Sequence, residues 1–103
     1  MVVLMVSACE ERETRGDLII EDVGKPLKDS VVVRMNDGEH VSKAIVRLVG
    51  DVDGAFLLNR IKYEEGPIDS VIYEHDWYRP IFKIEYEPIE AKNGYLMVLV
   101  EFF

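Results

Sequence analysis

Apolar and polar residues alternate along much of this chain with the two-residue period of a strand that has one face in a core and one in water. The clearest stretch interleaves Phe82, Ile84 and Tyr86 with Lys83, Glu85 and Glu87. Other apolar segments rich in β-branched residues are each bounded by turn formers. Residues 18–20 precede Gly24-Lys25-Pro26, and residues 30–35, which hold Val31-Val32-Val33, stop at Asn36-Asp37-Gly38. Residues 43–49 run into Gly50-Asp51-Val52-Asp53-Gly54, and residues 55–63 into Glu64-Glu65-Gly66-Pro67. Residues 68–73 lead to Glu74-His75-Asp76, and residues 95–103 follow Lys92-Asn93-Gly94.

Short segments at this spacing predict an all-β fold, an antiparallel β-sandwich of about seven strands. The Asp-Gly and Asn-Gly steps fall where hairpin turns need positive φ. The last segment places Leu96, Val98, Val100 and Phe102 on one face and the equally apolar Tyr95, Met97 and Leu99 on the other. It is therefore expected to be central in its sheet or covered on both sides. Residues 41–50 carry a competing signal. Val41, Ala44, Ile45, Leu48, Val49 and Val52 also fit a helical stripe, which would make the fold α+β. The β-branched Ile45, Val46 and Val49 and the nearby Gly50 favour a strand.

A length of 103 residues holds one domain, and 49% apolar with 31% charged residues is the balance of a folded chain. No apolar run is long enough for a membrane-spanning helix. The formal charge is −8, from 20 acidic residues against 12 Lys and Arg. That balance opposes nucleic acid and anionic lipid, which are bound by Lys and Arg. It suits a basic protein partner, and it also keeps a domain soluble.

Composition changes abruptly at Cys9, the only cysteine, so there is neither an internal disulfide nor a multi-cysteine metal site. Residues 1–8 are apolar or small, and Glu10-Glu11-Arg12-Glu13-Thr14-Arg15-Gly16-Asp17 follows. The run Val6-Ser7-Ala8-Cys9 resembles the lipobox of bacterial lipoproteins. The resemblance implies that residues 1–8 are a leader, that Cys9 is lipidated as the new N-terminus, and that residues 9–16 are a charged tether. Residues 17–103 are then a single β-domain at the bacterial cell envelope, in contact with the membrane only through that lipid. Glu10 after the cysteine implies outer-membrane sorting. The alternative is that residues 2–6 form a buried first strand and Cys9 is an ordinary small residue in a cytoplasmic protein.

Candidate chemistry is sparse. Asp76-Trp77-Tyr78-Arg79 holds the only tryptophan. Trp77 and Tyr78 could stack on a sugar or anchor a protein partner, with Arg79 and Asp76 adding directional hydrogen bonds. Alternatively, Trp77 plugs one end of the core. Asp51-Val52-Asp53-Gly54 resembles the start of a calcium loop, but the twelfth position is Lys62 and not Glu, and a turn accounts for these residues. His75 lies between Glu74 and Asp76 with His40 far off in sequence, which suits a solvated loop. Ser7, Ser30, Ser42 and Ser70 lie in no nucleophile elbow, and there is no phosphate loop. The expectation is a small acidic, non-catalytic envelope domain without cofactor or metal, binding an unknown protein or glycan or serving a structural role. The alternatives are a soluble inhibitor- or immunity-type protein that masks a basic partner, and a carbohydrate-binding module.

Overall fold

The computed structural model describes residues 15–33 and 40–103. Every regular element among them is a strand: β1 (Arg15–Ile20), β2 (Leu27–Val32), β3 (Lys43–Val52), β4 (Phe56–Leu58), β5 (Ile61–Tyr63), β6 (Gly66–Asp76), β7 (Ile81–Pro88) and β8 (Gly94–Phe102). They form two four-stranded sheets, ordered β1-β8-β3-β6 and β2-β7-β4-β5, and every strand pair is antiparallel. The fold is the all-β sandwich that the two-residue period predicts.

Two details differ from the expectation, and the competing signal at residues 41–50 resolves to the favoured strand. The described strands number eight, because residues 55–63 divide into β4 and β5. The break is Asn59-Arg60, with φ of 50° and 71°. Two consecutive left-handed residues make the tight turn that matches the twist of a hairpin. Without a glycine there, the segment reads as one strand. Residues 43–52 are a strand and not a helix. Ala44, Val46, Leu48 and Val52 are buried, while Ile45, Arg47 and Val49 face outward. Finally, β1 begins at Arg15, so Arg15 and Gly16 belong to the sheet and not to the tether. The leader, Cys9, residues 10–14 and the Asn36-Asp37-Gly38 turn lie outside the described residues.

The two described glycine steps, Asp53-Gly54 and Asn93-Gly94, do not make in-sheet hairpins. Asp53-Gly54 lies between β3 and β4 and Asn93-Gly94 begins β8, and both connections cross from one sheet to the other. Among the described strands, only β4 and β5 are neighbours both in sequence and in a sheet. Glycine at position 54 answers close packing: a Cβ there would sit 2.4 Å from the Glu90 carbonyl carbon. At Gly94 the need is conformational, since its φ of +131° is closed to other residues.

The two inner faces meet in one apolar core. Val46, Leu48, Leu96 and Val98 from one sheet pack with Phe56, Leu58, Ile84 and Tyr86 from the other. Tyr86 is 1% exposed, and its hydroxyl donates to the Val23 carbonyl, 63 residues away in sequence. This bond fastens the β1–β2 connection to β7. Burial, followed by the nearby Asp22 and Asp53 carboxylates, pushes the phenol up to about 12 from 10.0. Stability held by the neutral phenol is therefore complete below pH 10 and lost as pH rises through about 12. Tyr86→Phe leaves the Val23 carbonyl without its partner. It is expected to lower unfolding free energy by about 1–2 kcal/mol at neutral pH and to flatten the alkaline decline. Urea unfolding from pH 7 to 12 checks both.

Candidate functional site

The 76–80 loop follows directly from β6. The Trp77 amide donates to the Ser42 carbonyl at 3.1 Å, and its indole Nε1 donates to the Ile81 carbonyl at 3.0 Å. The ring lies 5.0 Å from Phe82 and meets Tyr73 edge-on at 5.7 Å. The half-buried indole thus closes one end of the sandwich by bridging β6 and β7. Tyr78, by contrast, is 70% exposed. The Asp76 carboxylate beside it raises its pKa, first by charge and then by a hydrogen bond. Asp76 and Arg79 are exposed too. The structure therefore brings Asp76 and Tyr78 together at the surface and turns Trp77 into the core.

Asp53 is engaged by the turn opposite it. Its Oδ1 accepts the backbone amides of Lys92 at 2.8 Å and Asn93 at 2.9 Å, and its Oδ2 accepts the Asn93 side-chain amide at 3.1 Å. These bonds, the Asn93 amide first, lower its pKa to about 2 from 3.8. The neighbouring Ala55 carbonyl accepts the amides of Ile89, Glu90 and Ala91. Both oxygens of the calcium-like loop's second aspartate are thus fastening the β3–β4 connection to the β7–β8 connection. Because the folded-state pKa is depressed, this stabilisation is complete above pH 3.8 and lost as pH falls through about 2. Asp53→Asn is expected to be less stable than the parent at pH 5, with the difference shrinking toward pH 2. Denaturant midpoints of both proteins at pH 5, 3 and 2 test this.

A surface that the sequence reading did not anticipate lies on the outside of the β1-β8-β3-β6 sheet. Antiparallel register sets two outward rows across it: Asp17, Leu99, Arg47 and Val71, then Ile19, Met97, Val49 and Asp69. Strand β8 is central, as expected, but no described residue covers its outer face: Tyr95 is 57% exposed and Ile19 beside Met97 is 56% exposed. Ile45, Val49, Met97 and Leu99 are half-buried. A groove of about 750 Å³ crosses this face, with Ile45, Val71 and Leu99 in its lining and Arg15, Asp17 and Glu101 among its charged residues. The wider face carries Asp17, Asp51, Asp69, Glu74, Asp76 and Glu101 against Arg15, Lys43 and Arg47. Arg47 binds Asp69 at 2.7 Å and Lys43 binds Glu74 at 3.2 Å. Among the described residues, Asp17, Asp51 and Glu101 have no ion-pair partner. The available signal was the doubly apolar pattern of β8, which points equally to a covered strand and to an exposed apolar band.

The outside of the other sheet is polar along the middle of β7, with Val32 and Ile81 at one end and Leu57 beside Glu87 as its apolar positions. Lys83, Glu85 and Glu87 alternate along β7, and Lys28 stands opposite Glu85. The Asn59 side chain extends this sheet past the end of β4. Its Oδ1 accepts the Glu85 amide at 2.7 Å and its Nδ2 donates to the Lys83 carbonyl at 3.2 Å, as a further strand residue would. Among the described residues there is no cluster of three His, Cys, Asp or Glu side chains able to hold a metal. His75 stacks edge-on against Tyr73 at 5.1 Å. No protein-family model matches the chain, and no curated protein or solved structure matches it.

Proposed function

We propose that this chain is a small acidic, non-catalytic binding domain of the bacterial cell envelope, carried on a lipid attached to Cys9. The observation that supports the reading is the composition break at Val6-Ser7-Ala8-Cys9, followed by charged residues up to Arg15, where β1 begins. Residues 10–14 reach about 18 Å at full extension. A lipid on Cys9 would therefore hold the sandwich close to the membrane surface, with β1 nearest.

Expression of the native gene with its upstream sequence in a lipoprotein-processing host tests this reading. The expected product begins at Cys9, carries the added mass of a diacylglycerol, and sediments with membranes. Cys9→Ser should release it to the soluble fraction. An unprocessed chain that retains Met1 in the soluble fraction overturns the envelope assignment.

A second reading, a soluble acidic protein that masks a basic partner, draws support from Asp17, Asp51 and Glu101 around the apolar band on the β1-β8-β3-β6 sheet, which have no ion-pair partner among the described residues. Carboxylates in such a position steer a cationic partner. A glycan-binding role would have to rest on Tyr78, Arg79 and Asp76, since the Trp77 ring packs on Tyr73 and Phe82.

A further inference from the structure

We infer that the outer face of the β1-β8-β3-β6 sheet is a docking surface, and that its occupant is a basic protein segment with apolar side chains between its cations. The inference rests on the reading of this chain as a binding domain, and it holds with or without a lipid on Cys9.

The first support is the character of the face. An antiparallel sheet with one side in water normally shows polar residues there, as β7 does with Lys83, Glu85 and Glu87. Here the central strand β8 presents Tyr95, Met97 and Leu99 outward. Register sets Ile19 and Val49 on either side of Met97, so the apolar positions join into a band across three strands. Contiguous exposed apolar area of this kind marks an interaction surface.

The second support is what surrounds the band. Asp17 on β1 is the partner of Leu99, Glu101 on β8 the partner of Ile45, and Asp51 on β3 the partner of Tyr95. None of these carboxylates has an ion-pair partner among the described residues. An apolar centre within a charged rim is the anatomy of a protein interface, and although Arg15, Lys43 and Arg47 also stand on this face, its acidic excess favours cations. It disfavours a second copy of the same face, which would bring like charges together. It disfavours anionic lipid for the same reason.

The test uses the full chain and a fluorescent peptide of alternating Lys and Leu, read by anisotropy at low salt. A Lys-Ser peptide of equal charge is the control. Two charge variants remove the same net charge: Asp17→Asn with Glu101→Gln on the face, and Glu87→Gln with Glu90→Gln away from it. The face pair is expected to weaken Lys-Leu binding about tenfold and the distant pair less than about twofold. Met97→Ser should weaken binding of the Lys-Leu peptide but not of the Lys-Ser peptide, and circular dichroism verifies that each variant is folded. Equal weakening by both charge pairs overturns the docking site while leaving a generally cation-binding domain. Absence of binding by the parent chain overturns the docking site together with the binding role, whatever Cys9 carries. A dimeric mass by light scattering that Met97→Ser restores to monomer also overturns the proposal, and assigns the face to a second copy.

Discussion

The two apolar inner faces can meet only when strands from opposite ends of the chain have come together. Successive strands alternate between the sheets except at β4–β5, so neither sheet is a continuous stretch of sequence. Strand β1 pairs with β8, and β2 with β7. The seam between the sheets therefore both stabilises the fold and fixes its register. A one-residue slip of β3 would turn Val46 and Leu48 outward and drive Arg47 into the core. The hydrophobic effect supplies the attraction, and the period-2 pattern restricts it to one alignment.

Because the core is apolar, polar side chains act where connections cross between the sheets. Tyr86 ties the β1–β2 connection to β7, Asp53 ties the β3–β4 connection to the residues before β8, and Trp77 closes the end between β6 and β7. Each joins residues that the apolar seam brings near but does not position. This accounts for the perturbed titration of Tyr86 and Asp53 without catalysis: one phenol is buried beside carboxylates, and one carboxylate accepts several amides. Several residue types that suggest chemistry in the sequence are thus the fasteners of a sandwich.

The fold class was legible because alternation is a local signal. Phe82, Ile84 and Tyr86 face the core in the structure as their spacing requires, and so do Leu96, Val98, Val100 and Phe102. Strand order was not legible, because the same turn chemistry serves a hairpin and a crossing between sheets. Asp53-Gly54 looks like a hairpin step but meets the Glu90–Ala91 backbone of another connection, a contact nothing local encodes. The one in-sheet hairpin among the described residues uses Asn59-Arg60, and Asn59 is fitted to it by side-chain bonds to Lys83 and Glu85. At the candidate site, the sequence marked Trp77 by its rarity, but burial decides its role. The outer band went unread because its members are scattered over β1, β3, β6 and β8 and become neighbours only through register.

That band is the point at which folding ceases to explain the sequence. Both sheets need an apolar inner face, and both have one. Neither needs an apolar outer face, and the β2-β7-β4-β5 sheet shows that Lys83, Glu85 and Glu87 satisfy a strand open to water. Ile19, Val49, Met97 and Leu99 therefore exceed what the sandwich requires, and outward apolar residues that are exposed or half-buried carry a liability for association. The carboxylates at Asp17, Asp51 and Glu101 counter that liability by mutual repulsion between copies, and under the proposed docking role the same charges would admit a cationic partner. The band thus lies on a face whose carboxylates outnumber Arg15, Lys43 and Arg47 and which no described residue covers, so the excess charge opposes the pairing of two copies that the apolar residues alone would favour.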